Sequence, residues 1–278
     1  MPAWHLHPDV LLLVGTLAGG YAWAVRRVGP SKVHPIERVV TRRQVLAFSA
    51  GVLNIFVSAS WPIHDIAEGR LYSVHMMQHL LLSLVAPPLL LIGTPAWMLR
   101  WVLGKPGLAL AKFVTRPLIA LVLFNGVIAA LHIPAVVELT ATSEPFHFGA
   151  HTVLVLTAFC MWSPVLNPLI ELPKLSYPAR MVYLFLQSLV PTVPASFLTF
   201  GNTVMYRVYA EGPHLWGISP LTDQRAAGLL MKLVGGFLLW SVIAWYFFKW
   251  FMTEEREGVD VLEWSKLEGD LNRLELTT

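Results

Sequence analysis

Seven apolar stretches, each close to the roughly 20 residues that a helix needs to cross a bilayer, dominate this sequence. They cover about residues 8–25, 44–61, 72–92, 116–134, 147–166, 178–200 and 225–248. Only 13% of the 278 residues are charged, whereas a soluble domain carries about 25%. We therefore predict an all-α integral membrane protein, a bundle of about seven transmembrane helices over residues 1–252 with a polar C-terminal tail at 253–278.

Lysine and arginine are distributed unevenly between the two sets of predicted loops. Sixteen of them lie on one side and three on the other, with Lys232 inside the last stretch. Because cytoplasmic loops carry the excess of basic residues, this ratio places the N-terminus outside and the C-terminus in the cytoplasm. We expect a multi-pass protein of the bacterial plasma membrane, in contact with lipid. The net charge of +3 then reflects orientation and does not indicate a nucleic-acid partner.

Several classes of activity have no support in the sequence. It contains no HExxH, GxSxG or Walker A motif, and its glycines do not form a phosphate-binding loop. The single cysteine, Cys160, excludes an intramolecular disulfide framework and a CxxC metal site. We therefore expect no enzymatic activity.

The histidines, in contrast, are strongly ordered. Nine of the ten fall at or near the predicted outer surface, and only His34 lies on the other side. Imidazole is a common metal ligand and is costly to bury in lipid, so such a one-sided distribution indicates a metal or haem site near that surface. A structural network of hydrogen bonds is the alternative explanation.

Two histidine pairs carry the most specific signal. His75 and His79 open the third stretch, and His147 and His151 open the fifth, each pair at i, i+4 and so on one helix face. Together they could supply a four-coordinate site if the two helices are adjacent, which the sequence leaves open. Met76 adds a soft thioether ligand of the kind that suits Cu(I). Alternatively, His79 bonds a neighbouring helix and Met76 only fills space.

Further candidates surround these pairs. His132 precedes Ile133-Pro134 and is either a further ligand or a cap at a helix end. His5 and His7 form either a site where metal enters or an interfacial belt anchored by Trp4. His64 fits a solvated loop better than a ligand.

Four polar residues are predicted to support the site. They are Gln78, Asp223, Gln224 and Lys232. Asp223 stands where an acidic residue caps a helix and interacts favourably with its dipole. Lys232 lies within an apolar stretch and needs a partner, for which Asp223, Glu138 and Glu144 are candidates. Close helix contacts are expected at six small residues, Gly15, Gly19, Gly20, Gly228, Gly235 and Gly236.

The order of these segments resembles the CtaG family of cytochrome c oxidase assembly factors over roughly residues 4 to 245. The segments that carry the resemblance are Trp4-His5-Leu6-His7-Pro8-Asp9, the run Leu71-Tyr72-Ser73-Val74-His75-Met76-Met77-Gln78-His79-Leu80-Leu81-Leu82 with Ala86-Pro87-Pro88-Leu89-Leu90 and Gly93-Thr94-Pro95, His132-Ile133-Pro134, the pair His147 and His151, and Leu221-Thr222-Asp223-Gln224 with Gly228. The resemblance implies a multi-span plasma-membrane protein needed to build haem-copper oxidases, by supplying copper to an oxidase subunit.

Three functional hypotheses follow from these residues. The first is an assembly factor that binds Cu(I) near the outer face through histidine and methionine and delivers it to a cytochrome c oxidase subunit. The second is a b-type haem protein in which one histidine from each of two helices ligates the iron. The third is a metal transporter, which the lack of ionisable residues in the inner halves of the spans disfavours.

Overall fold

The computed structural model describes residues 6–34, 38–68, 70–166, 168–212 and 215–275, the last twenty of these as backbone only. Within these ranges every regular element is helical. The α-helices are α1 (Pro8–Trp23), α2 (Arg42–Ala59), α3 (Ile63–Ala67), α4 (Tyr72–Leu80), α5 (Ala86–Gly93), α6 (Ala96–Val114), α7 (Pro117–Leu131), α8 (Pro134–Thr142), α9 (Glu144–Leu166), α10 (Tyr177–Phe200), α11 (Arg207–Glu211) and α12 (Pro220–Glu275).

Five helical segments are long and apolar enough to cross a membrane. They are Pro8–Ser31, Tyr72–Gly93, Glu144–Leu166, Tyr177–Phe200 and Pro220–Glu255, and each overlaps a predicted span. A sixth arises if α6 and α7 form one span bent by 82°. The prediction of a multi-pass membrane protein is thus supported. The count of seven and the orientation of the termini stay predictions, and α2, which polar residues such as Asn54 dilute, is not among the qualifying helices.

The region before α7 differs from its prediction as a loop. It forms the 19-residue helix α6, which a backbone break at Gly104 interrupts just before Pro106. The backbone of Gly104 has φ +60°, a conformation that residues with a Cβ atom rarely adopt. The glycine, proline and basic residues of α6 lower its mean hydropathy, so hydropathy alone does not predict this helix.

The predicted third span is continuous but changes its helical form in the middle. A π-helical turn, Leu81–Val85, joins α4 to α5 and widens the helix before Pro87. Proline cannot donate to the carbonyl four residues before it, and that carbonyl, Ser83 O, instead accepts from Trp162 Nε1 at 3.1 Å. Asn54 Nδ2 likewise donates to Leu81 O at 2.9 Å. Side chains from α9 and α2 therefore fasten this segment into the bundle.

Helix α9 runs through the main hydrophobic core. Leu154, Ala158, Met161 and Val165 on this helix are fully buried. Leu184 of α10 packs in the same cluster. The core thus joins α9 and the proline-rich α10 with α7, α12 and the segment that continues α4.

The small-residue prediction holds at two glycines and fails at four. A Cβ added to Gly228 of α12 would lie 2.7 Å from the carbonyl oxygen of Ala195 in α10, and one on Gly235 would lie 3.1 Å from Leu80 Cδ2. In contrast, a Cβ added to any of the other four would meet no neighbouring segment of the described chain within 4 Å, so the predicted contact is wrong there; these are Gly15, Gly19, Gly20 and Gly236. Periodicity identifies a small-residue face but not whether a neighbour covers it.

One end of the bundle collects basic side chains. Arg100 Nε and Nη2 donate to the two carboxylate oxygens of Glu171 at 2.7 and 3.2 Å. Arg180 lies over the rings of Tyr177 and Tyr246, and Lys249 also lies over Tyr177. This is the end where α9 finishes and α10 begins, so it is remote from the histidines at the start of α9.

Candidate metal centre

The helix that carries His75 and His79 is capped by a residue from the far end of the sequence. Leu71, at the N-cap of α4, has no side chain that could satisfy the free amides of the first turn. Asp223 of α12 accepts hydrogen bonds from Tyr72 N at 2.5 Å and Ser73 N at 3.2 Å, and also from the Ser73 hydroxyl. Asp223 is 4% exposed, so a buried carboxylate fixes where α4 begins.

Three imidazoles meet between α4 and α9. One nitrogen each from His75, His79 and His151 lie within 4.8 Å of one another, and we call these residues the inner triad. The Nε2 atoms of His79 and His151 are 3.1 Å apart. His75 and His79 are buried, and His151 is partly buried. The third and fifth predicted spans, whose adjacency the sequence leaves open, are therefore neighbours in the structure.

A second group of ligand atoms lies beside the first. His64 of α3, Glu68 and His147 of α9 also place one ligand atom each within 4.8 Å, and we call them the outer triad. Glu68 Oε1 lies 3.4 Å from His64 Nε2 and 3.6 Å from His147 Nδ1. Burial lowers the pKa of His64, an effect that the Glu68 carboxylate partly opposes, so the neutral imidazole is favoured. Neutral imidazole is the ligating form.

The two triads form one continuous row of rings. Ring centroids are 5.5 Å apart between His64 and His147, 4.3 Å between His147 and His151, and 5.0 Å between His151 and His79. The four histidines predicted as one site are thus close together, but His147 shares its ligand group with His64 and Glu68. Its ring is the part of the outer triad that contacts the inner triad, through His151.

Several nitrogens in this row have no hydrogen-bond partner among the described residues. They are His75 Nδ1, His79 Nδ1 and His147 Nε2, all buried. A buried polar atom without a partner costs about 1–3 kcal/mol, so unsatisfied groups are rare in stable proteins and suggest a missing ligand. The donor set itself, made of imidazoles and one carboxylate, is one that transition metals prefer.

His132 lies outside both triads. It ends α7, where its Nδ1 is 2.7 Å from Ile128 O, which agrees with the predicted cap at a helix end. The buried His132 Nε2 atom has no hydrogen-bond partner among the described residues. His132 instead lines a cavity of about 460 Å³ between α4, α7, α10 and α12, together with His79, Met76 and Lys232. Met76 and His79 thus line the same cavity.

The predicted supporting residues position neighbouring segments. Gln78 Nε2 is 3.1 Å from His64 Nδ1 and orients that ring. Gln224 accepts from Met205 N at 2.7 Å and donates to Thr203 O at 3.2 Å, which holds the loop after α10. Two of the three acids considered for Lys232 have other contacts, since Asp223 caps α4 and Glu138 accepts from Val208 N.

His7 lies at the outer edge of the row. Its Nε2 is 2.9 Å from Asp65 Oδ2, and its ring centroid is 4.8 Å from that of His64. His7 thus contacts the outer triad without belonging to it. His5, its predicted companion, falls outside the described residues.

Sequence reasoning missed two features of the site. The first is Glu68 as a ligand, because the segment between the second and third spans is predicted as a polar loop. The i, i+4 spacing of His64 and Glu68 is the signal that points to it. The buried pair of Asn125 Nδ2 and Gln187 Oε1, 2.6 Å apart between α7 and α10, was also missed. An amide within an apolar stretch was the available sign of it.

Comparison with known sequences agrees with this architecture. The chain matches the family described as "Cytochrome c oxidase caa3 assembly factor (Caa3_CtaG)" over residues 19–253, which is most of its length and includes both triads. No curated protein and no solved structure matches it. The resemblance inferred from the histidine and proline segments is confirmed by this match. The chain belongs to the family of cytochrome c oxidase caa3 assembly factors.

Proposed function

We propose that this protein accepts Cu(I) at the inner triad and delivers it to a subunit of cytochrome c oxidase during assembly. The ion is cargo, held by His75, His79 and His151 and released by ligand exchange. No bond of a substrate is made or broken in this process.

The observation that carries the proposal is the geometry of the inner triad. Two nitrogens that bind one metal at about 2.0–2.1 Å in a tetrahedral arrangement lie about 3.3 Å apart. The 3.1 Å separation of the Nε2 atoms of His79 and His151 is close to that value. Since these residues come from different helices, an ion between them also joins α4 to α9.

The surroundings favour copper as the cargo. Imidazole binds zinc, copper and nickel alike, whereas a thioether selects for Cu(I). Met76 lines the same cavity as His79, so a soft ligand lies beside the inner triad. The match to an oxidase assembly family adds the biological need, because haem-copper oxidases contain copper.

The same distance disfavours the haem alternative. Two axial histidines of one haem lie on opposite sides of a porphyrin ring. His79 and His151, with Nε2 atoms 3.1 Å apart, leave no space for a macrocycle between them.

We further propose that the triads face the outside of the plasma membrane. The basic residues of the predicted cytoplasmic loops support this orientation, since Arg100, Arg180 and Lys249 lie at the end of the bundle opposite the histidines. Copper would then be accepted and handed over on the outer side.

The decisive experiment is metal analysis of the purified full-length protein in detergent. Wild type loaded anaerobically with Cu(I) should retain about one ion per chain at the inner triad after desalting. The double variant His79→Ala/His151→Ala should lose it. His34→Ala is the matched control, because His34 is exposed and remote from the row of rings.

A second readout is the oxidase itself. Cells that carry the double variant should assemble less active cytochrome c oxidase, and added copper should partly restore it. Equal Cu(I) retention in wild type and double variant would refute the inner triad as the copper site. Stoichiometric iron in the protein as isolated would favour haem instead.

A further inference from the structure

We propose that the outer triad is a second, separate cation site that binds a divalent first-row ion of the Zn(II) and Cu(II) type. His64, Glu68 and His147 are its ligands. This site goes beyond the copper(I) function proposed above and does not depend on it.

The distances in the outer triad suit one ion. Glu68 Oε1 is 3.4 Å from His64 Nε2 and 3.6 Å from His147 Nδ1. Ligands at about 2.0–2.2 Å from a metal in tetrahedral geometry are separated by about 3.3–3.6 Å. The three side chains therefore need little movement to close around an ion, with a fourth position left for water.

The residues behind the ligands fit the same interpretation. A histidine that ligates a metal through Nε2 usually donates its Nδ1 proton to an acceptor. The Gln78 amide lies 3.1 Å from His64 Nδ1 through its Nε2 atom, and turning this amide would bring Oε1, which has no partner among the described residues, into place as that acceptor. The carbonyl oxygen of Thr140 lies 3.3 Å from His147 Nδ1, so this nitrogen carries a proton in the absence of an ion. When a metal binds at Nδ1, the neutral ring carries its single proton on Nε2 instead, because the ligating nitrogen must be unprotonated.

Charge distinguishes the outer triad from the inner one. Glu68 adds a carboxylate to two imidazoles, which lowers the electrostatic cost of holding a doubly charged ion. The members of the inner triad are all imidazoles. Two imidazoles and one carboxylate are a common ligand set for zinc, whereas imidazole with thioether suits Cu(I).

Access also differs between the two groups. The Glu68 side chain is 44% exposed, whereas His75 is 7% exposed. An ion from water therefore meets the outer triad first. Within the outer triad, His147 is next to the inner triad, with a ring-centroid distance of 4.3 Å to His151.

The test uses Zn(II) as the probe and the full-length protein in detergent. Wild type should bind Zn(II). Glu68→Gln and His64→Ala each remove one ligand and should each weaken the Zn(II) affinity by about tenfold or more. Glu211→Gln is the control for loss of an exposed carboxylate, since Glu211 pairs only with Arg207 on the surface among the described contacts. Thermal unfolding of every variant verifies that the fold is kept.

The two proposals fail separately in this design. If the outer triad is a distinct site, His79→Ala/His151→Ala keeps its Zn(II) affinity, and Glu68→Gln keeps its Cu(I). Zn(II) binding unchanged in both Glu68→Gln and His64→Ala would overturn the outer site. So would loss of Zn(II) binding in His79→Ala/His151→Ala alone. Failure of Cu(I) retention with intact Zn(II) binding would overturn the copper function and leave the outer site standing.

Discussion

The carboxylate of Asp223 accepts a hydrogen bond from the backbone amide of Tyr72 at 2.5 Å, across 151 positions of sequence. It thereby caps the helix that bears two of the three inner-triad ligands. The Leu-Thr-Asp-Gln segment and the histidine segment, which are far apart in the chain, thus form one structural unit. Asp223 positions the metal centre without being one of its ligands.

Replacing Asp223 should therefore damage metal binding and stability together. Asp223→Ala leaves the first amides of α4 unsatisfied in a buried place, which should cost about 1–2 kcal/mol of unfolding free energy. Cu(I) retention should fall because the start of α4 moves. Asp223→Asn keeps one acceptor oxygen and should be intermediate. Thermal unfolding in detergent beside Cu(I) retention measures both effects, and a variant that loses neither would contradict this role.

The indole of Trp162 should matter through its single donor. Trp162→Phe removes the hydrogen bond to Ser83 O, a buried carbonyl that Pro87 leaves without its helical partner. We expect a loss of about 1–3 kcal/mol, seen as a lower midpoint of thermal unfolding. Trp245→Phe, on a side chain that is 65% exposed, is the control and should change little. Equal midpoints for the two variants would argue against this anchor.

A methyl group added to α12 should destabilise the protein at the glycine that contacts α10 but not at a glycine that faces away from it. Gly228→Ala places its Cβ against the carbonyl oxygen of Ala195 and should destabilise the protein by about 1–3 kcal/mol. Gly236→Ala on the same helix meets nothing within 4 Å and should be neutral or slightly stabilising. Thermal unfolding of the two variants compares them directly, and a reversed order would refute the packing.

Bound copper should stabilise the fold, because the inner triad joins α4 and α9. At a free Cu(I) concentration of 100 times Kd, binding to the folded state alone contributes about 2.7 kcal/mol. The unfolding midpoint of wild type should therefore rise on anaerobic loading. His79→Ala/His151→Ala should show no rise, and His34→Ala should behave like wild type. A rise in the double variant would place copper elsewhere.

Most of the long helices could be predicted from sequence because lipid imposes a fixed length on a spanning helix. The predicted spans 72–92, 147–166 and 178–200 differ by only a few residues from the structural segments Tyr72–Gly93, Glu144–Leu166 and Tyr177–Phe200. Helix α6 could not be predicted in this way, because hydropathy does not distinguish a helix rich in basic residues and glycine from a loop.

The candidate site was only partly predictable for a related reason. The i, i+4 spacing places His75 with His79, and His147 with His151, on helix faces without any knowledge of tertiary structure. Which rings share a ligand group depends on how helices pack, and this assigns His147 to Glu68 and His64. The cap from Asp223 to Tyr72 is equally a tertiary contact, and no local pattern encodes it.

The all-imidazole composition of the inner triad has a consequence for release. Neutral ligands leave the whole positive charge of a Cu(I) ion in a buried environment, where an uncompensated charge is costly. A recipient that offers an anionic ligand, such as a thiolate or a carboxylate, would neutralise that charge as it takes the ion. The free energy of transfer would then come from the electrostatic cost of the ion in the inner triad as much as from the affinity of the recipient.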